Sequence, residues 1–446
     1  MVTARGNSKW PTLPQEIRDT ILEYVPGRFA GICKDWRRAI EPRNFRTIEV
    51  DSDVHSLSQL RATFDENLLR QSYVRNLWFK ITLPEHSITS RSKPQTSEEW
   101  MAENRCFYQA THDFLEILST WRYANKADWT TYQGINWEVS LSSPSDVGNA
   151  CGIEGLMDNW REGGRYVFNS VDLNTIYDLP AANCITGLSI LRRNMRRISW
   201  SFFHWMNLTE PGVDLADVLT ICESFSKIHV FEHGDLCPSK NWRFSSFSNN
   251  LTGALFNRSF VLEELLVCNF IDAMDFFDCI KRQPMHTAPP VWQNLRVLTM
   301  TSQGISAGGK PEFINGLISD AGRAAKQMPA LRVMELYGAW LKCAGIFRYQ
   351  VVGSFAKIGW ASTWEFKLGD ESKQIWWDVT QLRENRLVLQ SVVEKHVYRY
   401  HGPVHFMHVW SVTRSLALHP SSSAALGYHN LPDHRRRFFG DRDLSL

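Results

Sequence analysis

Two periods govern the apolar positions of this chain. Near its start, Leu13, Ile17, Ile21 and Val25 fall four residues apart, which predicts a helix with one apolar stripe. Thr12 with Gln15 reads as a capping box, Pro14 suits the first turn, and Pro26-Gly27 supplies the stop. A second stripe, Phe29, Ile32, Cys33, Trp36 and Ile40, predicts another short helix that ends by Glu41, because Pro42 disfavours helical backbone in the residue before it. Helices this short cannot bury their stripes alone; they need each other, the rest of the chain or a partner.

From about residue 70 the pattern changes to strands of the form apolar-x-x-apolar-x-apolar, each followed by a helix. The clearest copies begin at residues 195, 225, 262, 295 and 331, in Met195-Arg-Arg-Ile-Ser-Trp, Phe225-Ser-Lys-Ile-His-Val, Leu262-Glu-Glu-Leu-Leu-Val, Leu295-Arg-Val-Leu-Thr-Met and Leu331-Arg-Val-Met-Glu-Leu. Their spacing is longer and less regular than the roughly 20 to 29 residues of a tidy leucine-rich repeat. Leu215, Val218, Leu219, Cys222 and Phe225 mark one intervening helix, and Ile314, Leu317, Ile318, Ala321, Ala325 and Met328 another, opened by Pro311. Units of this kind, laid side by side, predict a curved parallel sheet with helices outside; a doubly wound α/β sheet remains open. Beyond residue 345, Thr363-Trp-Glu-Phe-Lys, Ile375-Trp-Trp-Asp-Val and Arg386-Leu-Val-Leu read as short aromatic and β-branched strands. The expected class is therefore α/β. It comprises a helical module over 1–50, an irregular leucine-rich-repeat-like solenoid over 51–345, a strand-rich aromatic cap over 346–419 and a loose tail over 420–446.

Composition narrows the function classes. A hydrophobic fraction of 43% and 18 tryptophans demand a buried core. A formal net charge of +2 leaves no field to draw the whole molecule onto nucleic acid, and Arg192, Arg193, Arg196 and Arg197 or Arg435 to Arg437 read as solvated surface charge. Met1 to Trp10 lack the apolar stretch of an export signal, and no run of eighteen apolar residues occurs. Nine cysteines without a Cys-x-x-Cys pair fit reduced thiols, so a cytoplasmic or nuclear location is expected, with neither membrane nor nucleic acid as partner.

Three fragments of catalytic motifs occur. Gly304-Ile-Ser-Ala-Gly-Gly-Lys310 between a strand and a helix resembles a phosphate cradle, but Pro311 stands where a magnesium-holding hydroxyl belongs. Gly304-Ile-Ser306-Ala-Gly308 has the form of a nucleophile elbow, yet Thr301, Ser302 and Gln303 separate it from Met300 at the predicted strand's end. His229-Val-Phe-Glu232-His233 is an inverted zinc-protease pattern on a predicted strand, where positions four apart lie about 13 Å from each other, too far for one metal. His401, His405 and His408 read as separate, partly buried histidines. No catalytic residue, metal or cofactor is expected.

Leu13-Pro-Gln-Glu-Ile-Arg-Asp-Thr-Ile-Leu-Glu-Tyr-Val, Ile32-Cys-Lys-Asp-Trp-Arg and Glu41-Pro-Arg-Asn-Phe together resemble the F-box of filamentous-fungal F-box proteins. Tyr73-Val-Arg-Asn-Leu-Trp-Phe, Phe114-Leu-Glu-Ile-Leu-Ser-Thr-Trp, Ser142-Ser-Pro-Ser-Asp and Thr186-Gly-Leu-Ser-Ile-Leu-Arg-Arg are similar to later blocks of that family. The resemblance implies a target-recognition subunit of a cullin-type ubiquitin ligase, docked through a Skp-type linker and recruiting an unidentified target protein. It places the linker contact on Leu13, Pro14, Ile17, Ile21 and Leu22, then on Cys33, Trp36 and Arg37. This chain departs from the family pattern in carrying only Pro26, Gly27 and Arg28 before Phe29, where a further half-helix is usual. A stand-alone interaction scaffold with a degenerate F-box is the alternative.

Overall fold

The computed structural model describes residues 10, 13–85, 96–121, 134–142, 179–180, 182, 184–192, 225–232, 248–268, 271–282, 291–340, 343–383, 386–393, 411 and 413. Helix α1 spans Gln15–Glu23, a 3-10 turn Gly27–Gly31, and α2 Lys34–Asn44. The strands are β1 Thr47–Asp51, β2 Asn76–Thr82, β3 Ile135–Ser142, β4 Ile185–Arg192, β5 Lys227–Glu232, β6 Glu264–Cys268, β7 Val297–Thr301, β8 Val333–Trp340, β9 Cys343–Val352, β10 Phe355–Ser362 and β11 Arg386–Val393. Between them run α3 Val54–Phe64, α4 Leu68–Gln71, α5 Ser97–Ser119, α6 Ser248–Ser259, α7 Ala273–Lys281, α8 Pro311–Ala325 and α9 Asp370–Gln381.

Among the described residues, eleven strands form one sheet in sequence order, without the reversal that a doubly wound sheet requires. Pairing is parallel from β1 to β8 and between β10 and β11. Among the described strands, β8–β9 and β9–β10 are the antiparallel pairs. The β9–β10 hairpin turns through Gly353 at φ 60°, a conformation that a Cβ would strain.

Register sorts the strands into two faces. Ile228, Leu265, Leu298, Met334, Tyr349 and Ile358 align across six strands, as do Val230, Val267, Met300, Leu336, Phe347 and Trp360, and both rows pack in the core with the helices. The stripe expected on α8 lies there: Ile314, Leu317, Ile318, Ala321 and Ala325 are buried, with Met328 just beyond the helix. Burying side chains of this size stabilises by roughly 1.5–3 kcal/mol each for the larger ones. Pro311 occupies the first helical turn, as expected. Toward β1, Leu77, Phe79, Trp137 and Val139 continue the same face beneath Phe114 of α5, whose ring stacks on Phe79 at 4.2 Å.

Several local expectations are corrected. Thr12 lies outside the described residues, and α1 opens with Pro14 as its N-cap, so Gln15 bonds Asp19 and Arg18 in place of a capping box. Helix α2 continues through Pro42 to Asn44, with Phe45 N–H donating to Glu41 O; the proline leaves one helical bond unmade near the end, where its loss is small. Ile375 to Val379 belong to α9, not to a strand: Ser372, Trp376, Val379 and Thr380 are buried at helical spacing, and Trp376 Nε1 donates to Ile318 O at 2.9 Å. Thr363 to Lys367 form no strand, whereas the strand expected from Arg386 is β11. Strand β9 runs through residues 345 and 346 within the sheet. The strand beside β5 is Ile185–Arg192; Met195 to Trp200, and the helix expected at 215–224, lie outside the described residues.

Arg383, just after α9, closes the end of α8. Its guanidinium donates to Ala325 O, Leu331 O and Tyr349 Oη at 2.8–2.9 Å, and also to Met328 O. These carbonyls include the ones a helix end leaves orphaned. Arg383→Ala should therefore lower unfolding free energy by about 2–4 kcal/mol in urea titration, and Arg383→Lys should recover less than half, because a point charge cannot reproduce the fork.

Candidate functional site

Three of the expected contact residues place α1 at the surface. Pro14, Ile17 and Ile21 are exposed, and Leu13 is half-buried. Leu22 is buried, on the inner side of the helix. Cys33 and Arg37 are exposed, while Trp36 is half-buried against the ring of Trp10 at 5.3 Å. The two predicted groups are thus brought together on one small module but not onto one fully accessible surface. Ile17 at 48%, Ile21 at 40% and Tyr24 at 84% exposure form an i, i+4, i+7 stripe on α1, with Ile32 at 59% at the end of the 3-10 turn.

The module is held by polar bonds to backbone as much as by its core. Arg43 donates from α2 to Leu22 O at 3.0 Å and to Glu23 O and Val25 O, satisfying the carbonyl end of α1. Asn44 Nδ2 bonds Gly27 O at 3.0 Å, and its side chain sits where a Cβ on Gly27 would be, so Gly27 permits the tight return. Arg70 of α4 holds the module from outside, pairing with the buried Glu41 at 2.7 Å while its guanidinium lies over Phe45.

The sheet face opposite the helices carries a polar row that periodicity did not single out. Trp78, Glu138, Ser189, His229, Leu266, Thr299, Glu335 and Arg348 are register neighbours across eight strands, and all are buried. Two networks lie along it. In the first, Ser189 Oγ is 3.2 Å from His229 Nδ1, His229 Nε2 is 3.0 Å from Glu264 Oε2, and Lys227 Nζ is 2.7 Å from Glu264 Oε1. The Asn136 amide also meets the Ser189 hydroxyl, with Nδ2 at 3.2 Å. Burial raises the Glu264 carboxyl, but the His229 hydrogen bond and charge, then Lys227, outweigh it and hold the group at about 2. A carboxylate only accepts, so His229 Nε2 carries the hydrogen of that bond.

This serine–histidine–glutamate chain has the order of a catalytic triad without its setting. Ser189 sits inside a strand paired on both sides, where ladder bonds occupy the amides that an oxyanion hole would need, and its hydroxyl is almost wholly covered. What the arrangement does is cross-link β3 to β6 and fix the imidazole. In the second network, Glu335 and Arg348 are fully buried and paired at 2.7 Å, a charge pair that requires further donors to be tolerated.

The motif fragments take other roles. His229 is bound into the first network, Glu232 ends β5, and His233 and His401, His405 and His408 lie outside the described residues. No cluster of metal-ligating groups occurs among the described residues. The Gly304 to Lys310 loop does lie between a strand and a helix, but several amides at its start and end bond within the protein. Ser302 Oγ and Gln303 N donate to Asp272, Gly304 N to Ser302 Oγ, and Gly309 N to Ser306 O. Asp272 thus takes the donors just before the loop, and Ile305 O presses onto Gly338, where a Cβ would come within 2.3 Å of it. Ser306 therefore stands on a packed turn, not an elbow.

Glu264 has a folded-state value depressed from 4.5 to about 2, so its ionisation stabilises the protein fully above about pH 5 and ceases to do so as pH falls toward 2. Glu264→Gln should cost on the order of 3 kcal/mol at pH 7 and progressively less in urea titrations at pH 4 and pH 2.5.

Residues 216–410 match the model of a family of unknown function, DUF6546. That stretch holds β5 to β11 and leaves the N-terminal module and β1 to β4 outside it. No curated protein and no solved structure matches the chain.

Proposed function

We propose that this protein is an F-box-type, target-recognition subunit of a cullin ubiquitin ligase, working in the cytoplasm or nucleus. Helices α1 and α2 dock a Skp-type linker, and the strand–helix units behind them act as an irregular leucine-rich-repeat-like solenoid that holds the target. The observation that carries the reading is the water-exposed aliphatic stripe of Ile17 and Ile21, at the positions where the F-box resemblance places the first linker contact. Branched aliphatic side chains on consecutive turns of a surface helix gain little there unless another protein covers them.

The solenoid part draws support from the sheet: strands in sequence order, parallel neighbours and a helical connection to one face let each unit bury the apolar side of the next. The chain makes and breaks no bond in this scheme. It raises the effective concentration of a target lysine near the ligase's charged thioester, at the far end of the complex.

One observation favours the alternative of a stand-alone scaffold. A 3-10 turn of five residues stands in place of the usual half-helix, and Leu22 and Trp36 are turned inward. Ile17→Asp with Ile21→Asp separates the two readings, because both side chains are exposed and their loss leaves the core intact. Binding to a recombinant Skp-type linker should weaken at least ~100-fold in calorimetry, with urea stability changed by no more than about 0.5 kcal/mol. A wild-type protein that shows no linker binding favours the scaffold.

A further inference from the structure

The C-terminal end of α1 joins a tightly held backbone to a side chain that holds nothing. Tyr24, the C-cap, donates its N–H to Ile21 O at 3.2 Å, and Val25 donates to Leu22 O at 3.2 Å. Arg43 reaches across from α2 to Leu22 O at 3.0 Å and also bonds Glu23 O and Val25 O, the carbonyls on either side of Tyr24. Its neighbour Asn44 fixes Gly27 O at 3.0 Å. Helix ends usually leave such carbonyls to water and fray. Here a planar guanidinium, which loses little freedom for each bond it makes, closes the end.

The side chain carried by this fixed backbone points into water. Tyr24 is 84% exposed, the highest value of any large hydrophobic side chain among the described residues. Its ring meets no other ring or cation there, and its hydroxyl has no hydrogen-bond partner. An isolated exposed tyrosine needs no explanation, but this one continues a stripe: it stands three residues beyond Ile21 and seven beyond Ile17 on the same side of the helix. Leu22, which the F-box resemblance assigns to the linker contact, is only 5% exposed and faces inward.

We infer that Tyr24, in place of Leu22, is the anchor that completes the docking face of α1, and that Arg43 is the positioning residue that presents it. The inference rests on the docking reading, which supplies the partner. It requires of the Skp-type linker an apolar groove about two helical turns long, roughly 10 Å, ending in a pocket for an aromatic ring. Tyrosine suits that place because it buries a large area through few rotatable bonds and carries a polar tip for the pocket floor. With the backbone around Tyr24 already fixed by Arg43, docking orders one side chain and not a frayed helix end, so less of the contact is lost to ordering.

The test is calorimetry of the full chain with a recombinant Skp-type linker, run as a double-mutant cycle. Tyr24→Ala should weaken binding at least ~10-fold and leave the urea midpoint in place, since the ring packs against nothing that the core needs. Arg43→Ala should weaken binding at least ~3-fold in the wild-type background and much less in the Tyr24→Ala background. General loosening of the module would cost the same in both, so equal losses overturn the positioning role of Arg43. A Tyr24→Ala chain that binds as wild type does, while Ile17→Asp with Ile21→Asp still loses the linker, overturns the inference and leaves the docking reading standing. A wild-type chain that binds no linker overturns the docking reading and the inference with it.

Discussion

Register within the parallel ladder is the constraint on which the other features depend. Each strand from β5 to β10 presents Ile228, Leu265, Leu298, Met334, Tyr349 and Ile358, or their partners two residues on, to the helices. A slip of one residue on β8 would drive Glu335 into that apolar layer and turn Leu336 onto the polar side. The same alternation that assembles the hydrophobic core therefore also assembles Ser189, His229, Thr299, Glu335 and Arg348 into a single row on the other face. Core and polar row are two consequences of one pairing.

That coupling explains why polar groups are tolerated so deep. Buried charges destabilise unless their hydrogen-bonding capacity is met. Glu264 is met by His229 and Lys227, and Glu335 by Arg348 and two hydroxyls from the C-terminal part of the chain. At the opposite end of the chain the situation is reversed: α1 is well held by Arg43 but leaves Ile17 and Ile21 substantially exposed.

How much of this was legible in the sequence depends on the range of the interactions. The α8 stripe, its opening proline and the positions of β5 to β8 were readable, because each rests on spacing within one element. The exposed stripe on α1 was readable for the same reason, with its cap misplaced by two residues. Ile375-Trp-Trp-Asp-Val misled, since β-propensity favoured a strand over a span too short to display the helical period that Ser372 and Thr380 complete. The antiparallel β9 and β10 were missed because strands buried on both faces show no clean alternation of polar and apolar residues. The polar row and the bonds of Ser411 and Thr413 to it were invisible, as they join residues that only the finished sheet brings together.

The claim that α1 is a docking helix is tested most directly by hydrogen–deuterium exchange of the full chain with and without a recombinant Skp-type linker. The account predicts a stable complex, with new protection over Gln15–Glu23 and the 3-10 turn and none across β5 to β8. Absence of a complex, or protection confined to the sheet, would contradict it.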